Sequence, residues 1–237
     1  SAKLPIYAMF TAAFFKENQA LVMISLYVMG IVVGILLSLL LKKTIFRGNP
    51  VPFVMELPAY RLPSWKSTVI HMWDKAKDFI TKAFTIIFVS TIVIWLLQHF
   101  DIRFNMVSDS SSSILAAIGR FIAPIFAPLG FGDWRICTAL ITGLTAKEAV
   151  VSTLAVLTGA GGDTSALASI LAQMFTPLAA FSALTFTLLY MPCMAATAAI
   201  KRELGSTKNA VLAMIYQTVL AWLVAFTVFN VGKLLGF

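Results

Sequence analysis

Lys147 and Glu148 stand side by side near the middle of Trp134–Thr158, a stretch otherwise apolar and long enough to cross a bilayer. A charge at the bilayer centre costs at least ~2.5 kcal/mol, so two in a row imply water, a protein partner or a cargo beside them. On a continuous helix, Glu148 shares a face with Thr145, Ser152 and Ala155, at spacings of three, four and seven. That stripe is small and oxygen-bearing, as a cation path would be. Lys147 points about 100° away, with Gly143, Val151 and Leu154. The competing expectation is a structural ion pair with another helix, or a span that ends earlier.

A second centre is Leu189-Tyr190-Met191-Pro192-Cys193. Proline has no N–H, so Pro192 frees the carbonyl of Leu188 and breaks a helix locally. Freed backbone at membrane depth survives only where protein or a cavity satisfies it, and transporters use such unwound carbonyls to hold cations. Cys193 sits at the break, and a thiolate suits a borderline or soft transition metal better than sodium or magnesium. The plainer reading is a small apolar residue in a packed helix. Glu56, in a connector with four prolines, is a further candidate metal ligand, or the cap of a turn. His71 and His99 lack metal-ligand spacing. The chain contains neither a phosphate-binding G-x-x-x-x-G-K-[ST] loop nor a G-x-S-x-G nucleophile elbow, so no nucleotide site and no catalytic residue are assigned.

The elements around these centres follow from composition. The 237 residues are 59% hydrophobic and 12% charged, about half the charge of a soluble domain. Between Lys42 and Lys82 lie eight of the 18 Lys and Arg residues against three acids, which is +5 of the net +8. These charges flank apolar runs, so they read as the cytoplasmic excess of a membrane protein and not as a nucleic-acid surface. Cys137 and Cys193 form no disulfide framework. Regular spans are expected at Ala20–Leu41, Ala83–Leu97 and Ala210–Gly232. Ser64 to Phe79 reads as an amphipathic helix at the membrane interface, with a helix packed on a soluble domain as the alternative. Ile114–Phe131, with Pro124, Pro128 and Gly130, departs from a straight span and is expected to be re-entrant or to lie on the surface. Ala166–Ile200 is too long for one span and is broken at Pro177 and Pro192. The expected fold is all-α: a polytopic transmembrane bundle with proline-broken helices and an amphipathic interfacial helix. The Lys42–Lys82 segment is expected on the cytoplasmic side and Gln98–Ser113 outside, with the side of the C-terminus set by whether Ile114–Phe131 crosses.

Three blocks together resemble the prokaryotic ferrous iron transporter family FeoB: Pro52–Pro63 (PFVMELPAYRLP), Gly143–Leu154 (GLTAKEAVVSTL), and Leu188–Cys193 continuing to Lys201–Ser206. Ser1–Tyr7 resembles the family's sequence just after a cysteine in the first half of its membrane domain. The likeness is nearly collinear and corresponds to the C-terminal portion of a gate-type permease domain. A GTP-binding domain and most of a first gate repeat are expected elsewhere in the same protein. The resemblance implies Fe²⁺ as the transported ion, nucleotide-dependent control from outside this segment, a multi-pass bacterial inner-membrane location, lipid contact and no enzymatic activity of this segment. It admits a homo-oligomer. It likens Cys193 to the second-half gate cysteine and Glu148 to the acid of the A-K-E block. Combined with the residue chemistry, it gives a path lined by Cys193, the Leu188 carbonyl and Glu148, with Lys147 pairing a nearby acid or keeping the empty site near neutral. Two other classes stay open: a gate-type carrier of another divalent metal or a nucleoside, and a non-transporting membrane assembly subunit.

Overall fold

The computed structural model describes residues 3–44, 62–107, 109–161 and 163–236. Among these residues every extended element is a helix, and β pairing is limited to a single bridge between Phe100 and Met106. Glu56 and nearly all of the proline connector lie outside the described residues.

Helix α1 (Leu4–Phe14) is short and buries Ile6, Tyr7, Met9, Phe10 and Thr11. Pro5 lies in its first turn, where a missing N–H costs nothing. Helix α2 (Gln19–Thr44) runs 26 residues and carries Lys42 and Lys43 in its last turn. At 1.5 Å per residue it is about 39 Å long, enough to cross a hydrocarbon core, and it coincides with the expected span at Ala20–Leu41. Only Leu26 on it is buried. Its large apolar side chains, Leu21, Ile24, Tyr27, Ile35 and Leu36 among them, face outward, as lipid-facing or partner-facing surface must.

Helix α3 (Trp65–His99) differs from expectation in its continuity. The amphipathic stretch and the apolar stretch after it form one helix of 35 residues, about 52 Å long. No proline or glycine occurs between Trp65 and His99, so nothing interrupts the backbone ladder where the character of the surface changes. The polar loop that follows is tied by Asp101 and Asp109 to backbone N–H groups of Asn105 and Ser111. The N–H of Ser111 holds the Asp109 carboxyl below its usual range. A depressed carboxylate stabilises above its unfolded value and stops doing so as pH falls through the folded one, so this loop loosens only in acid.

Helix α4 (Ile114–Phe126) starts at Ser113, whose Oγ accepts from Ala116 N–H at 3.1 Å. Ser113→Ala is expected to cost about 1 kcal/mol, read as a lower unfolding temperature of the purified protein. An unchanged temperature would mean that the loop, not the cap, sets this helix start. Pro124 and a 3-10 turn over Ala127–Leu129 lead to Gly130, at φ 85°. The chain then folds back by 108° into α5 (Trp134–Thr142). This is the departure from a straight span expected for Ile114–Phe131. Arg120 is accounted for locally, its guanidinium 4.9 Å from the centre of the Trp134 ring.

The expected single helix Trp134–Thr158 is instead two: α5 and α6 (Ala149–Leu157), separated by residues 143–148. The hydroxyls of Thr142 and Thr145 donate to the carbonyls of Ala139 and Thr142, and tight turns at Leu144 and Thr145 replace the helical ladder. Short polar side chains that compete for backbone in this way favour turns. Thr145 therefore does not share a helical face with Glu148, whereas Ser152 and Ala155 do. Helices α7 (Thr164–Met174), α8 (Pro177–Leu189) and α9 (Met194–Leu204) divide the long apolar stretch at Pro177 and Pro192, as expected. Helix α10 (Thr207–Leu234) matches the last expected span and packs along α8. Ala221 and Ala225 are fully buried there, and Ser182 Oγ donates to the Ala225 carbonyl at 3.2 Å. Small residues allow such close approach where lipid supplies no hydrophobic drive.

Candidate ion pathway at two helix breaks

The gap between α5 and α6 meets the gap between α8 and α9. The Met194 N–H, first in α9, donates to the Leu144 carbonyl at 2.7 Å. Gly143 is needed at this crossing for space: a Cβ there would lie 2.5 Å from Val150 Cγ2 and 2.7 Å from the Tyr190 hydroxyl. An aromatic series (Phe126 to Phe186 at 5.0 Å, Phe186 to Tyr190 at 5.3 Å) holds the α8 side of the break in place.

Cys193 is the residue before α9, in extended conformation and half-buried. The Leu188 carbonyl, freed by Pro192 as expected, accepts from Lys3 Nζ at 2.5 Å. Lys147 is 4% exposed. Its Nζ donates to the Met191 carbonyl at 2.8 Å and sits 3.1 Å from the centre of the Tyr190 ring. The acid partner expected for Lys147 is therefore replaced, among the described residues, by a carbonyl and an aromatic face.

Glu148 takes a different position. It is exposed at the start of α6 and lines a cleft of ≈ 340 Å³ with Pro5, Ser152, Ala155 and Asp163. The break and the cleft are next to each other in sequence, since Lys147 faces one and Glu148 the other. Among the described residues no three His, Cys, Asp or Glu side chains converge as a metal centre. Cys137 is buried in α5.

Three participants carried little sequence signal. Lys3 is one basic residue near the chain start, and only its reach to Leu188 reveals a role. Tyr7 and Tyr190 are buried with hydroxyls that make no hydrogen bond among the described residues. The buried ring of Tyr190 serves instead as the face under Lys147.

Residues 23–75 match the family described as ferrous iron transport protein B C terminus, and residues 80–207 match the gate family described as nucleoside recognition. A protein of Staphylococcus aureus (strain MSSA476) named Fe(2+) transporter FeoB is 41% identical over 99% of this chain, with 35% of its own length covered. Namesakes in Methanocaldococcus jannaschii and Campylobacter jejuni are 38% and 33% identical over 99% of the chain, with 36% and 40% of their lengths covered. The chain thus spans little more than a third of the curated relatives it matches. No solved structure matches it. With both family matches in order along one helical membrane unit, and identity running nearly end to end, the chain belongs to the gate family and to the FeoB family.

Proposed function

We propose that this chain is the C-terminal part of a permease that carries Fe²⁺ across the bacterial inner membrane, under control of a GTP-binding domain elsewhere in the same protein. The observation that carries this reading is the crossing of two interrupted helices, with Cys193 and the carbonyls of Leu188 and Met191 at the interruption. Peptide carbonyls and a thiolate are ligands that Fe²⁺ accepts, and unwound helices present them at membrane depth. Glu148, in the adjoining cleft, supplies a carboxylate station. Conduction needs weak successive sites so that the ion can leave. Cys193, the Leu188 carbonyl and Glu148 are the proposed sequence of stations, and Glu56 is kept as a candidate from its sequence alone. The outward apolar faces of α2 and α3 fit contact with lipid and with a first gate repeat of the same protein.

The gate family's description favours a second cargo class, a nucleoside, while the names of the relatives favour iron. The test is uptake of labelled Fe²⁺ by cells expressing the full-length protein with Cys193→Ser or Glu148→Gln. Each change is expected to lower the initial rate about tenfold or more, as loss of a metal-site group commonly does. Wild-type rates from both variants at normal expression would remove these residues from the path. Competition of uptake by a nucleoside, and not by Mn²⁺ or Zn²⁺, would replace the iron reading.

A further inference from the structure

We propose that Lys147 is a resident cation of the pathway: its ammonium occupies the Met191 carbonyl in the ion-free protein, and a divalent ion takes the break only by displacing it. The inference rests on the permease reading and goes beyond it by assigning a competitor to the cargo. A lysine almost wholly withdrawn from solvent normally has a carboxylate beside it. Lys147 has a carbonyl at 2.8 Å and the face of Tyr190 at 3.1 Å, which are neutral groups that bind cations by their dipole and quadrupole. The same helix interruption repeats the arrangement at Leu188, whose carbonyl accepts from Lys3 Nζ at 2.5 Å. Two of the carbonyls at the break, those of Leu188 and Met191, thus hold an ammonium.

An Fe²⁺ ion and an ammonium cannot share one carbonyl, because like charges at contact distance repel strongly where solvent screening is weak. Ion binding and lysine docking are therefore mutually exclusive and reciprocally linked. The consequence reaches both broken helices. Lys147 belongs to the α5–α6 interruption and Met191 to the α8–α9 interruption, so the contact that an ion must break is one that holds the two together. Gly143 lets the lysine's own segment pack tight against Tyr190, and the Lys147–Met191 contact is one of those that hold the crossing closed. An ion that wins the carbonyl loosens the crossing that it must pass.

The experiment uses the full-length protein in proteoliposomes with Fe²⁺ under reducing conditions. Lys147→Met keeps the length of the side chain and removes its charge. It is expected to lower the Fe²⁺ concentration at half-maximal uptake about fivefold or more. A lysine that merely satisfied a buried carbonyl would lower thermal stability on removal and leave half-saturation unchanged. A folded Lys147→Met protein with unchanged or raised half-saturation overturns the inference. A second measurement needs no variant: the wild-type protein is treated with an amine-acylating reagent with and without saturating Fe²⁺, and acylation of Lys147 is read by mass spectrometry. Labelling is expected to rise when Fe²⁺ binds, and unchanged labelling at saturation overturns the proposal. Wild-type protein that moves no Fe²⁺ would sink the permease reading separately, since labelling reads displacement without transport.

Discussion

Replacing Pro192 with alanine is expected to reduce Fe²⁺ uptake by about tenfold or more without lowering the protein's unfolding temperature. Alanine restores an N–H at residue 192, and the natural acceptor for it is the carbonyl of Leu188, now held by Lys3. With that bond made, α8 can run on through Tyr190 and Met191 into α9. Tyr190 and Cys193 now have extended backbone, at ψ 166° and 164°, and both would become helical. Proline inside a helix costs about 3 kcal/mol, so healing the break stabilises the helix itself. Against this stand the contacts that need the break open: Met194 N–H to the Leu144 carbonyl, and Lys147 to the Met191 carbonyl. The expected balance is a folded protein with its carbonyls returned to a helix and no station for an ion. Initial uptake rate and thermal unfolding of the purified full-length protein measure both halves. Wild-type uptake by Pro192→Ala would mean that the tertiary contacts hold the break open unaided and that the proline is dispensable.

Gly130→Ala is expected to have the largest effect on stability. Gly130 has φ 85°, a left-handed value that costs an L-residue about 1–2 kcal/mol. A Cβ there would lie 2.2 Å from Cε2 and 2.6 Å from Cζ of Phe229 on α10. Forcing such an overlap adds about 1–3 kcal/mol. Together the two effects amount to about 2–5 kcal/mol, or an unfolding temperature lower by about 5 °C or more in a domain of this size. Because the turn at Gly130 sets the fold-back of α4 on α5, the damage should reach the α5–α6 interruption and lower uptake as well. Gly130→Asn separates the causes: asparagine tolerates the left-handed backbone better but keeps the Cβ overlap. If Gly130→Ala unfolds at the wild-type temperature, Phe229 swings aside at no cost and the turn is not a weak point.

Much of the scaffold was legible in residue order. Ala20–Leu41 and Ala210–Gly232 are uncharged or nearly so, and hydropathy alone sets a helix long enough to cross a membrane; both are helices over those residues. Pro177 opens α8 and Pro192 lies in the gap between α8 and α9, because a missing N–H is tolerated in a first turn and not in a helix interior, a local covalent fact that no packing alters. The fold-back of Ile114–Phe131 was foreshadowed by Pro124, Pro128 and Gly130, though its 108° angle was not. The continuity of α3 was written in the absence of glycine and proline, but the change from polar to apolar surface drew the eye to a boundary that the backbone does not have.

The site divides in the same way. Lys147, Glu148 and Cys193 were visible as chemistry out of place in apolar surroundings, because the cost of burying a charge makes such residues conspicuous. The freed carbonyl of Leu188 followed from Pro192. The expected path joined Cys193, the Leu188 carbonyl and Glu148, whereas the charged residue that reaches the break is Lys147. Periodicity drew Trp134–Thr158 as one helix, whereas hydroxyl-to-carbonyl bonds at Thr142 and Thr145 open it at 143–148. That opening sends Lys147 to the break at Met191 and leaves Glu148 in the cleft beside Asp163. Residue order was enough for a helical membrane protein and for the breaks at Pro177 and Pro192, since these depend on local hydropathy and on proline, but not for the break at 143–148, which has no proline. Only the tertiary structure decided that two breaks meet and that Lys3 and Lys147 hold the carbonyls there, because contacts across 44 and 185 residues depend on how helices pack and leave no local trace.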